Sequence, residues 1–138
     1  MLTAAQVADF ALRSDQGAEA AATVGLRVPT WAAAPAGAAD PELAPGTINI
    51  IVCVPVPLAD AALVNTVITA TEAKTQAVLE AGFGGTGTAT DAVCVAAPVA
   101  AGGAAEDFAG PRSAWGARIA RAVHAAVLAG ATGYADAV

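Results

Sequence analysis

From Gly46 to Asp91 the chain alternates apolar runs with small polar clusters in an order that predicts strand, helix, loop and strand. Thr47 to Val54 is β-branched and apolar at successive positions, the pattern of a central strand buried on both faces. Pro55 and Pro57 end it. Asp60 suits the N-cap of a helix reaching Ala81, with Gly82 at its C′ position. That helix carries no charge from Ala61 to Thr71, which predicts that it is well buried. Ala92 to Ala97 predicts the next strand, stopped by Pro98. Upstream, Thr3-Ala4-Ala5-Gln6 matches a capping box and predicts a short helix, while Ala20 to Leu26 predicts a strand. Arg27 to Gly46, with Pro29, Pro35, Pro41 and Pro45, reads as a long loop. After a second loop from Ala100 to Pro111, Ser113 caps a last helix that Gly130 closes. The expectation is one α/β domain over residues 1–138. Its layered sheet has few strands, over about 20–26, 47–54 and 92–97, with helices over about 3–13, 60–81 and 113–129.

Composition narrows the classes. The chain is 57% hydrophobic and only 13% charged, and its mean hydropathy of +0.61 raises the question of a membrane span. Pro55, Pro57, Pro98, Gly102 and Gly103 break the apolar runs, whereas a span needs about 20 clean residues. The first residues lack a basic stretch followed by an apolar one, so no signal peptide is expected and the cytoplasm is the expected location. A net charge of −6 with a single lysine, Lys74, argues against a nucleic-acid surface. Cys53 and Cys94 each sit in an apolar run and are expected to be buried, reduced thiols.

Candidate chemistry gathers in two places. On the 60–81 helix, Asn65, Thr69, Glu72 and Gln76 recur at helical spacing and share one face, while Lys74 projects from nearly the opposite side. Glu72 and Lys74 stand two residues apart, so they do not pair across a turn. Glu72 is either part of a solvated stripe, with Lys74 snorkelling to the surface, or a general base or acid in a poorly charged cleft. The segment Gly84-Gly85-Thr86-Gly87-Thr88-Ala89-Thr90-Asp91 lacks the Gly-Lys-Ser/Thr ending of a Walker A motif and leads into a strand. Its backbone N–H groups and the hydroxyls of Thr86, Thr88 and Thr90 suit an oxyanion pocket or hydrogen bonds to ligand amides. The plainer alternative is a glycine turn with Asp91 starting the strand.

Other chemistries are poorly supplied. His124 is the only histidine, and neither zinc-ligand spacing nor a Gly-x-Ser-x-Gly elbow occurs. A Cys94–His124 nucleophile pair stays open as an alternative. Arg118, Arg121 and His124 recur every third residue and read as the solvated face of the last helix, with Ile119, Val123 and Val127 turned inward.

Gly46-Thr47-Ile48-Asn49-Ile50-Ile51, Ala70-Thr71-Glu72-Ala73-Lys74-Thr75 and Thr86-Gly87-Thr88-Ala89-Thr90-Asp91 together resemble adenosylcobinamide amidohydrolases. Ala22-Thr23-Val24-Gly25-Leu26 and the helix from Gly110 to Val127 extend the likeness, collinear over nearly the whole chain. The resemblance implies hydrolysis of the amide joining the aminopropanol arm to the corrin ring, giving adenosylcobyric acid for cobalamin salvage. It implies a corrinoid partner that enters as substrate, and no separate cofactor or metal. Amide hydrolysis without a metal or nucleophilic serine needs a base for water and donors for the tetrahedral oxyanion. On that reading Glu72, Asp91 and Lys74 are the candidate catalytic residues, and Asn49, Asn65, Thr69, Thr86, Gly87, Thr88 and Thr90 the candidate substrate-binding ones. The family's members are longer at the N-terminus, so this chain is expected to begin partway through their pattern. A sheet edge opened by such shortening favours a homo-oligomer. A corrinoid-binding module without hydrolysis, or an inactive fragment, are the competing readings.

Overall fold

A computed structural model describes residues 1–38 and 44–136. Pro41, one of the prolines of the expected loop, lies outside the described residues. Four strands and two long helices follow in the order β1 (Ala11–Asp15), β2 (Ala18–Val24), β3 (Ile48–Cys53), α1 (Asp60–Glu80), β4 (Ala92–Ala96) and α2 (Ala114–Asp136). The sheet runs β1-β2-β3-β4, antiparallel at the first two junctions and parallel between β3 and β4, which α1 connects. This is the small α/β sheet that the strand–helix–strand pattern predicts.

The N-terminal quarter departs from expectation. Instead of a helix over 3–13, the chain makes one 3₁₀ turn, Val7–Asp9, and then enters β1. The capping signal survives only as a local bond, the Ala5 N–H to Thr3 Oγ1 at 3.0 Å. A two-residue turn joins β1 to β2, with Gln16 at φ +46° and Gly17 at φ +92° between the paired Asp15 and Ala18. Positive φ at both turn residues gives the primed geometry that matches strand twist, and glycine carries the second position without cost. Pairing with β2 and packing under α2 thus override the helical signal.

On β2, Ala18, Ala20 and Ala22 face the core and are fully buried, as are Ile48, Ile50 and Val52 on β3. The helices pack on each other, with α2 over β1 and β2 and α1 toward β4, and the inward side chains of sheet and helices form one hydrophobic cluster. The inward row of α2 is Ile119, Val123 and Val127, as its spacing predicts. Gly130 does not close this helix, which runs on to Asp136. A Cβ at Gly130 would stand 2.6 Å from Val24 Cγ2, so this glycine lets helix and strand approach closely. At the helix start Ser113 caps as expected, its Oγ accepting the Gly116 N–H at 3.0 Å. Asp60, by contrast, is the first residue of α1, and the N-cap is Ala59 without a side-chain bond.

Burial of β3 on both faces is overturned. The face away from the helices is open beyond its first residues, with Ile51 44% and Leu12 52% exposed and Cys94 at the surface, while Thr47 and Asn49 at its start are covered. Apolar residues on both sides of a strand report its character, while coverage depends on what else the chain supplies. The same holds for α1: Val64 is 62% exposed, although its turn carries no charge. Cys53 and Cys94 are free, half-buried and exposed respectively, so the expectation of two buried thiols is corrected. They occupy neighbouring strands out of register, since Ile51 pairs with Cys94 and Cys53 with Ala96. No helix among the described residues is long and apolar enough to cross a membrane.

Candidate functional site

Glycine and threonine make the segment before β4 flexible in sequence, yet the fold ties it down at almost every residue. Asp91 is the knot. Its Oδ2 accepts from Lys74 Nζ at 2.6 Å and from the Thr88 N–H at 3.0 Å. Its Oδ1 accepts from the Ile48 N–H at 2.9 Å and from Thr88 Oγ1 at 2.5 Å. Four donors on one carboxylate fill the lone-pair positions it has. The Lys74 and Asp91 side chains are only 9% and 11% exposed, so this is a largely buried ion pair. Lys74 therefore does not snorkel to the surface. Its place on the inner side of α1 aims it beneath the loop, and the parallel β3–β4 pairing brings Asp91 beside the first residue of β3.

Gly87 belongs to this knot for a steric reason. A Cβ there would overlap both Asp91 Oδ2 and Lys74 Nζ. Around it, Thr47 Oγ1 and Thr90 Oγ1 share a hydrogen bond at 2.5 Å, and Thr75 Oγ1 donates to the Thr86 carbonyl at 3.1 Å. Thr30 clamps the other side: its N–H donates to the Gly87 carbonyl at 2.8 Å, and its carbonyl accepts from the Thr86 N–H at 2.9 Å. Thr30, Thr47 and Thr75 are absent from the sequence-based site. Thr47 and Thr75 sit inside the motifs that carry the family resemblance, whereas Thr30, in the proline-rich loop, carries no local signal.

In front of the knot lies a cleft of about 630 Å³, walled by Thr47, Asn49, Thr88, Thr90, Pro45, Gly46 and the first residues of the chain. Asn49 is 8% exposed, and its Nδ2 donates to the Leu2 carbonyl at 2.8 Å. The cleft opens at the N-terminal ends of the parallel pair β3 and β4, opposite to the usual ligand edge of open α/β sheets.

Of the sequence-predicted residues, Asn49, Thr88 and Thr90 line this cleft, while Lys74, Asp91, Gly87 and Thr86 do not line it and join it only through the hydrogen bonds of the knot. The fold does not bring Glu72 there. Glu72 lines a separate cleft of about 280 Å³ between the helices, with Gln76, Arg121 and His124. Thr69 borders that second cleft too, but its hydroxyl is spent on the Ala109 carbonyl at 2.7 Å. Asn65 is half-buried on α1 and lines neither cleft. His124 Nε2 meets Glu80 Oε2 at 2.7 Å, whereas Cys94 lies on the open face of the sheet, so these two do not form a pair.

Two carboxylates outside the knot are perturbed. The Arg121 guanidinium, hydrogen-bonded to Asp15, holds that carboxyl below its ordinary value against a smaller opposing effect of burial. Glu80 is likewise lowered, by the Gln76 amide first and His124 second. Folded-state values below the unfolded ones mean that this stability is present above about pH 4 and is lost as pH falls through the folded values. Thermal unfolding followed from pH 6 down to pH 3 is expected to show a falling midpoint, with a shallower fall in Arg121→Gln. Equal slopes in both proteins would rule out Asp15 as a contributor.

The family model described as adenosylcobinamide amidohydrolase matches residues 1–137. The chain belongs to this family. A curated relative, the adenosylcobinamide amidohydrolase of Methanosarcina mazei, is 55% identical over 51 residues, 37% of this chain. That stretch spans only 26% of the relative's own length. No solved structure matches the chain. For an adenosylcobinamide amidohydrolase family member, the knot gives the Gly/Thr segment a physical role: it holds threonine hydroxyls and backbone amides rigid at the rim of a cleft. Rigid donors are what stabilise developing charge at low reorganisation cost.

Proposed function

We propose that this chain hydrolyses the amide between the aminopropanol arm and the corrin ring of adenosylcobinamide, releasing adenosylcobyric acid for cobalamin salvage in the cytoplasm. Family membership supports the substrate class, and the observation that carries the site is the buried Lys74–Asp91 pair behind the Gly87–Thr90 rim. The chain's single lysine is placed against a carboxylate away from water, an arrangement costly enough to imply a task. The 630 Å³ cleft takes the amide arm, while the ring, far larger, rests across its mouth.

In the proposed reaction a water oxygen adds to the amide carbonyl carbon and loses its proton to a carboxylate. The carbon–nitrogen bond then breaks as the amine nitrogen takes up a proton. Asp91 is the proposed base and the Lys74 ammonium the proposed acid, with Thr86, Thr88, Thr90 and Asn49 supplying donors and anchors. Moving Thr88 Oγ1 off Asp91 Oδ1 frees the lone pair that the base requires. No separate cofactor enters this scheme, and the corrinoid is substrate. Glu72, with Thr69 in the separate interhelical cleft, takes no step in this scheme and is the alternative base.

One observation favours a runner-up. The four donors on Asp91 describe a structural latch as well as a poised base, which fits a corrinoid-binding module without hydrolysis. Incubation with adenosylcobinamide and chromatography of adenosylcobyric acid separate these. Asp91→Asn is expected to lower turnover by about 10²-fold or more while Glu72→Gln stays near the parent. The reverse result moves the chemistry to the interhelical cleft. Corrinoid bound without product supports the binding module.

A further inference from the structure

Two buried polar atoms among the described residues have no hydrogen-bond partner, Asn49 Oδ1 and Thr23 Oγ1. They are neighbours. Thr23 and Asn49 are register partners on β2 and β3, so their side chains rise from the same face, with Cβ atoms about 5 Å apart. A buried acceptor left without a donor is costly, and native proteins leave few of them without a reason. Asn49 also lines the 630 Å³ cleft, so its unpaired atom belongs to a side chain that borders open space.

The partner that Asn49 already has shows what is missing. Its Nδ2 donates to the Leu2 carbonyl at 2.8 Å, half of the donor–acceptor edge of a carboxamide. A trans peptide points its N–H away from its C=O, so the Leu2 peptide satisfies Nδ2 and leaves Oδ1 empty. A primary carboxamide carries C=O and N–H₂ on one edge. It can accept from Nδ2 and donate to Oδ1 together, and its second N–H can meet Thr23 Oγ1.

We propose that Asn49, assisted by Thr23, is a recognition site for a primary carboxamide, with the Leu2 carbonyl standing in for the ligand's own. The group class rests on the proposed function, because corrinoids carry such amides around the ring. Binding displaces the Met1–Thr3 segment from Asn49, to which Leu2 is held by that one side-chain bond. Leu2 is itself 92% exposed and Met1 58%, so the displacement uncovers little buried surface. The site thereby reads the periphery of the substrate, separately from the bond that is cut.

Propionamide titrated into the ¹⁵N-labelled full chain tests this. The Asn49 side-chain amide and the Leu2 and Thr3 signals are expected to shift saturably. N,N-dimethylpropionamide, which keeps the carbonyl but has no N–H, is expected to need at least about tenfold higher concentration. Asn49→Leu is expected to abolish the difference, its fold checked by the dispersion of the remaining signals. Equal responses to the two amides, or none to propionamide, overturn the proposal on the parent protein alone. Corrinoid hydrolysis is read in the separate assay. A chain that turns over adenosylcobinamide but ignores propionamide loses only this inference, and selective propionamide binding without turnover defeats only the reaction.

Discussion

Asp91→Ala is expected to lower stability by about 3–5 kcal/mol, the cost typical of breaking one side of a buried ion pair. In a domain of this size that corresponds to a fall in Tm of roughly 10–15 °C. The cause is the number of groups abandoned together. Lys74 Nζ loses its counter-charge, and the Ile48 N–H, the Thr88 N–H and the Thr88 hydroxyl lose their acceptor. Lys74→Met is expected to cost less, because Asp91 keeps three of its four donors. Urea or thermal unfolding of both variants against the parent decides it. A Tm for Asp91→Ala within about 2 °C of the parent would show that the carboxylate is not the latch described above.

Gly87→Ala is expected to cost about 2–4 kcal/mol through the same knot. The added methyl would fall on Asp91 Oδ2 and Lys74 Nζ, and it stands 3.2 Å from Lys74 Cε. These are side-chain tips and can swing away, but only by separating the two charges. The backbone adds to the penalty, since φ at Gly87 is +153°, where a Cβ is poorly tolerated. Coupling is the sharper readout. In an Asp91→Ala background the Asp91 contact is gone and the unpaired Lys74 tip is free to swing away, so Gly87→Ala there is expected to cost only about 1 kcal/mol, the backbone part. Strict additivity in that double-mutant cycle would mean that Gly87 acts independently of the ion pair.

Both predictions concern a contact that no local pattern contains. Lys74 and Asp91 are 17 residues apart, and the stretch between them carries one charged residue, Glu80 at the end of α1. From sequence, Lys74 reads as a snorkelling cation because its helical neighbours are apolar, and nothing on α1 says where its amine is aimed. The glycines and threonines of 84–90 do mark a special segment. Their chemistry points equally well to an oxyanion pocket or a plain turn until Thr30, Thr47 and Thr75 are seen to fasten them. Glu72, close to Lys74 in sequence, ends in a different cleft because a two-residue step turns it to the other side of the helix.

Local patterning by itself determined β3, α1 and β4 to within a residue or two, because each combines a strong periodic or β-branched run with a proline or glycine stop. It also determined the family resemblance, carried by short polar motifs in fixed order. The tertiary structure alone decided the β1–β2 hairpin, the length of α2 and the open face of the sheet. A strand such as Ala-Leu-Arg-Ser-Asp has no apolar face of its own and exists only through pairing with β2 and the weight of α2. Gly130 reads as a helix stop until Val24 shows that it is a point of close approach. Local sequence sets what each segment prefers; which neighbour it meets, and hence where the Lys74–Asp91 pair forms, is settled only when non-adjacent segments pack.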